Sequence, residues 1–153
     1  MALTFGVMTT YAPVAQLASR IILGVILIAH GWDKFQITGL EGVTGFFDSL
    51  GIPAAAAAAP AVALVEIIGG ILLIIGAFTR VTGIVLTLLM LGAAVFAHLA
   101  QGIFVTNGGW ELVGAIGAGT LLLAGLGAGR YSVDAYLPQR GQEAPAEKQL
   151  QNA

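Results

Sequence analysis

Glu66 stands in the middle of an apolar run from Pro60 to Phe78. A carboxylate there is costly unless another group holds it. Four more ionisable side chains lie within or at the edges of comparable runs: Arg20, His30, His98 and Glu111. Inside a membrane such residues face the bundle interior, where they either lock helices together or mark a functional site. Arg20 and Glu66 read as an ion pair locking the first and second spans. The other reading is a proton carrier or an anchor for a polar head group such as a quinone. His30, His98 and Glu111 all fall toward the outer ends of their spans. They read either as interfacial polar residues bonded to backbone and water, or as one convergent site. Imidazole and carboxylate together relay protons, hydrogen-bond a quinone carbonyl or bind a divalent metal. No two of the three share a short ligand spacing, so no metal centre is expected. All five are candidates for ligand binding or proton relay, and no catalytic residue is assigned.

Several chemistries are excluded. The chain has no cysteine, so it supplies no thiol, disulfide or iron–sulfur ligand. It carries no nucleophile elbow, phosphate-binding loop, dinucleotide fingerprint or zinc signature, and no cofactor is identifiable from its motifs. Net charge is −2 and no basic patch is interleaved with aromatics, which argues against a nucleic-acid partner.

The elements that position these residues are membrane spans. Of the 153 residues 58% are hydrophobic and only 9% charged, against roughly 25% charged in an ordinary soluble domain. A bilayer core about 30 Å thick takes roughly 20 helical residues to cross. Four runs qualify: Val14 to about Trp32, Ala55 to Phe78, Val81 to Ala100, and Glu111 to Gly129. They are continuously apolar rather than alternating, which favours helices over a barrel. The expected fold is all-α, an antiparallel bundle of four transmembrane helices in a single domain over 1–137. The segment 138–153, rich in Gln, Glu, Ala and Pro, reads as a disordered tail. Met1 to Pro13 lacks Lys and Arg, so the first run reads as a permanent span rather than a cleaved signal. Pro13 suits a first helical position, and Pro60 the first turn or two of the second span.

The first connection has its own pattern. Leu40, Val43, Phe46, Phe47 and Leu50 recur at helical spacing opposite Glu41, Thr44 and Asp48. This predicts a short amphipathic helix at the interface or capping the bundle. Trp32 and Trp110 fall where aromatic belts form. Asp33-Lys34 and Thr79-Arg80 read as helix-end charges at head-group level. Arg20, Arg80, Arg130, Arg140 and Lys148 share one side and Lys34 has the other, which predicts both termini in the cytoplasm. Small residues flank each buried charge: Gly24 after Arg20, Gly69 and Gly70 after Glu66, Gly114 and Ala115 after Glu111. Such faces suit close helix contact.

The order of these pieces resembles the DoxX family of small bacterial four-helix membrane proteins. The resemblance is carried by Arg20 with Gly24, His30-Gly31-Trp32-Asp33-Lys34-Phe35, and Gly45-Phe46-Phe47-Asp48-Ser49-Leu50-Gly51-Ile52-Pro53. It continues through Glu66-Ile67-Ile68-Gly69-Gly70, Gly76-Ala77-Phe78-Thr79-Arg80, His98, and Gly127-Ala128-Gly129-Arg130-Tyr131-Ser132-Val133-Asp134. It implies a multi-pass protein of the bacterial inner membrane, a subunit or accessory of a membrane oxidoreductase system, with a soluble or membrane partner carrying the redox cofactor. Quinone is the ligand implied. The competing functions are a small proton-coupled transporter acting as a homo-oligomer, and a non-catalytic assembly protein.

Overall fold

The computed structural model describes residues 2–136, with side chains from Tyr11 onward. The tail expected over 138–153, with Arg140 and Lys148, lies outside the described residues. The chain is an all-helical membrane bundle. Its helices are α1 (Ala2–Gln36), α2 (Leu40–Ser49), α3 (Ala55–Ile75), α4 (Thr79–Ala93) and α5 (Glu111–Leu126). α4 runs on through a π turn, Ala94–His98, and a 3-10 turn, Leu99–Gln101. Three helices are long and apolar enough to cross a membrane, and α5 is a shorter apolar helix of 16 residues. At 1.5 Å per residue α5 spans about 24 Å, just short of the hydrocarbon thickness.

α2 is the amphipathic helix the spacing predicts: Val43 is buried, while Glu41 and Asp48 are exposed. α5 ends at Leu126 rather than Gly129, and two further boundaries differ from expectation. Pro13 lies inside α1 rather than at its start. One missing N–H removes a single rung, and a helix in lipid gains nothing by unwinding around it. α3 stops at Ile75 instead of Phe78, because Gly76 takes a left-handed conformation (φ 69°). There the N–H groups of Gly76 and Ala77 turn back to the carbonyls of Leu72 and Leu73.

The bundle is two close helix pairs joined by a core. α1 packs chiefly on α3, and α4 on α5. At the first crossing a Cβ on Gly24 would lie 2.6 Å from the Gly70 carbonyl oxygen, and one on Gly70 equally close to the Gly24 carbonyl. At the second, a Cβ on Gly83 would lie 2.7 Å from the Thr120 carbonyl. Only glycine permits backbones this near. Thr87 and Thr120 add a hydroxyl pair at 2.9 Å across the same crossing. Leu27, Leu73, Leu86, Met90, Ile116 and Leu123 fill the space between the pairs. The outer surface is apolar, with Ile22, Leu88 and Leu122 each about 60% exposed or more. Such a surface suits lipid.

Candidate functional site

The register of α1 against α3 decides where each charge goes. With Gly24 against Gly70, Arg20 reaches Ile74, while Gly31 faces Ala63 and Glu66. The expected Arg20–Glu66 pair therefore does not form. Glu66 lies ~12 Å along α3 from Ile74, beyond a guanidinium held at that level. Each charge has a different partner, and they define opposite ends of the bundle.

Glu66 pairs with Lys34. Lys34 Nζ donates to Glu66 Oε2 at 2.7 Å, and their side chains are 20% and 6% exposed. Lys34 lies in the last turn of α1, as a helix-end charge should, but its side chain folds back along the helix and also reaches the His30 carbonyl at 3.4 Å. The lysine count held the clue. Among the described residues Lys34 is the one lysine or arginine at its end of the bundle, and Glu66 needed a cation.

The Lys34–Glu66 pair forms part of the wall of a cavity of about 510 Å³. Small-molecule sites commonly enclose roughly 300–1,000 Å³. Its polar lining is Lys34, Glu66, Asp33, His30, Thr38 and His98. The remaining wall is apolar. α2 contributes Val43, Phe46 and Phe47, and the core contributes Leu27, Met90 and Ile116. Three of the five candidates, His30, Glu66 and His98, thus line one space. α2 is a wall of that space as well as an interfacial helix, a role its pattern alone did not reveal.

Glu111 is excluded from the lining although its neighbours Leu112 and Val113 belong to it. Its carboxylate accepts from the Val105 N–H at 2.6 Å and so ties the 102–110 loop to the start of α5. His98 meets the same loop: its Nδ1 lies 2.6 Å from the Gly108 carbonyl oxygen. The convergence of His30, His98 and Glu111 is therefore partial. Among the described residues no three His, Asp or Glu side chains gather in a group able to hold a metal ion.

Arg20 is 1% exposed at the other end. It donates to the carbonyls of Ala128 and Tyr131, each at 2.6 Å, and to that of Ile74 at 3.4 Å. Its acceptors lie on the segment after α5 and at the end of α3. Asp134 completes the clasp. Its two carboxylate oxygens accept from the N–H groups of Phe78 and Thr79, at 2.7 and 2.9 Å, where α4 begins. A carboxylate at a helix N-terminus satisfies free donors and complements the helix dipole. Arg80 in turn donates to the Ala124 and Gly125 carbonyls at the end of α5. Arg20 Nε and Thr79 Oγ1 are buried with no partner among the described residues, which subtracts from what the clasp contributes. Arg20 is thus bound to backbone and does not line the cavity beside Glu66.

A helical membrane bundle with a polar-ended cavity defines the class, and comparison with known proteins gives the family. The DoxX family model matches residues 15–99, and the chain belongs to that family. It is 38% identical over 86 residues to the Bacillus subtilis protein named "Putative oxidoreductase CatD", covering 56% of this chain and 61% of that one. It is 32% identical to a Mycobacterium tuberculosis protein named as an uncharacterized membrane protein, Rv3486, over 84% of each chain. It is also 32% identical to the Escherichia coli inner membrane protein YqjF, over 83% of this chain and 95% of that one. No solved structure matches.

Proposed function

We propose that this chain is the membrane subunit of an oxidoreductase system and that its cavity holds the head group of a lipid-soluble quinone. One observation carries the reading: an apolar cavity at the helix ends whose polar wall contains a partly buried ion pair and two histidines. The apolar walls from α2, α4 and α5 suit a ring and its isoprenoid stem. The Lys34 ammonium and the His30 imidazole are donors of the kind a quinone carbonyl accepts from. Family membership and the name of the Bacillus relative support the oxidoreductase setting. In this reading a partner carries the redox centre; the described residues are helices and turns with no strand–loop–helix unit of the kind that binds a nucleotide or flavin.

The bilayer is the inner membrane of a bacterium in this reading, as the names of the Escherichia coli relatives support. Arg20 and Arg80 lie at the clasp end and Lys34 at the cavity end. By the positive-inside bias the clasp end and both termini are cytoplasmic, and the cavity opens toward the outer leaflet.

The test is direct binding. Protein purified into lipid nanodiscs is titrated with a decyl-chain benzoquinone. Saturable binding is expected, weakened about tenfold in Lys34→Met, where one charged donor is lost. Absence of saturable binding in the wild type sinks the proposal.

A further inference from the structure

His98 is held in a way that decides what its ring can offer. Its Nδ1 lies 2.6 Å from the Gly108 carbonyl oxygen. A carbonyl only accepts, so Nδ1 must carry the proton. In the neutral ring Nε2 is then a bare lone pair, a hydrogen-bond acceptor. Among the described residues no donor satisfies it.

The backbone turns this residue toward the cavity. Ala93 lines the cavity, and His98 lies five residues later. In a regular α-helix five residues place a side chain about 140° away from the first. The π turn over Ala94–His98, bonded from i to i+5, is wound more loosely and brings the fifth residue round closer to the first. The turn therefore puts His98 on the lining that Ala93 and Ala97 begin. Helices carry such a turn rarely, and often at functional sites.

The charge inventory narrows the ligand. The ammonium lining the cavity, Lys34, is already bonded to Glu66, and Asp33 adds a second carboxylate to the wall. An anionic head group meets no unpaired lysine or arginine among the lining residues. Beside the donors Lys34 and His30, the wall carries Glu66 Oε1, Asp33 and His98 Nε2 as acceptors, so it also suits a neutral head that donates.

We infer that His98 is a specificity-determining residue of the cavity, and that through Nε2 it selects a neutral ligand bearing an aromatic hydroxyl, the hydroquinone form over one without a donor. This rests on reading the cavity as a quinone-type site. The experiment titrates nanodisc-embedded protein with three probes that share a decyl tail: a benzoquinone, its hydroquinone under anaerobic reductant, and the dimethyl ether of that hydroquinone. The hydroquinone is expected to bind about tenfold more tightly than the ether, the worth of one good hydrogen bond. His98→Asn keeps an amide N–H for the Gly108 carbonyl and lacks an acceptor at the Nε2 position. It should lose most of that preference while binding the quinone and the ether as the wild type does. Equal binding of hydroquinone and ether by the wild type overturns the inference, as does a preference that survives in His98→Asn. Either result leaves the quinone reading standing. If none of the three probes binds, both fall.

Discussion

Lys34 on α1 and Glu66 on α3 are joined at 2.7 Å, and the carboxylate is the more deeply buried of the two. That asymmetry has a consequence. A lysine can extend its stem toward the interface, whereas a buried glutamate cannot leave.

Removing the lysine should therefore cost more than removing the acid. Lys34→Ala leaves a carboxylate buried and unpaired, and is expected to destabilise by about 3 kcal/mol. Glu66→Gln keeps an acceptor for a lysine that can reach water, and should cost about 1 kcal/mol. Unfolding of the purified variants in mixed detergent measures both. Equal losses would show that the two charges share one environment.

Arg20→Lys tests the clasp. An ammonium carries the charge but lacks the planar fork that reaches Ala128 and Tyr131 together. The expected loss is about 2 kcal/mol, near that of a charged hydrogen bond. Protease sensitivity of the 127–136 segment should rise in parallel. Unchanged stability with Lys in place would rule out the fork as the reason for arginine.

Asp134→Ala removes the acceptor that caps α4 from outside the helix. A loss of about 1 kcal/mol is expected, as for other N-terminal caps. Asp134→Asn should recover part of it by offering an oxygen to one of the two N–H groups. Amide hydrogen exchange at Phe78 and Thr79 reads the effect where it arises.

Gly70→Ala should separate α1 from α3, because the new methyl would sit 2.6 Å from the Gly24 carbonyl oxygen. Overpacking of this kind costs about 1–3 kcal/mol. Gly45→Ala is the control. A Cβ there meets nothing within 4 Å, and α2 should gain up to about 1 kcal/mol from the better helix former. Thermal unfolding in lipid separates the two.

The spans were legible because hydropathy is a sum over many residues, and a carboxylate or two does not hide a run of twenty. The amphipathic α2 was legible because its apolar residues repeat at helical spacing. Pairing was harder to see. Whether Arg20 or Lys34 meets Glu66 depends on the register of α1 against α3, which Gly24 and Gly70 set by contact and not by any local pattern. The same holds for Asp134, whose partners lie across the bundle at Phe78 and Thr79. His98 was recognisable as a polar residue near a helix end. The π turn that swings it onto the cavity wall has no sequence signature here.

The clasp also bears on how the molecule is made. Beyond the 3.4 Å contact to Ile74, the two short acceptors of Arg20 begin 108 residues downstream, at Ala128. At usual synthesis rates the ribosome takes roughly 5–20 s to travel that far. A lone arginine costs about 2.5–3.5 kcal/mol to insert at the centre of a span, and less toward the end at which Arg20 stands. For those seconds the first helix must wait at the translocon with its guanidinium toward water. A nascent chain cut before Ala128 would keep that debt and become a substrate for membrane proteolysis.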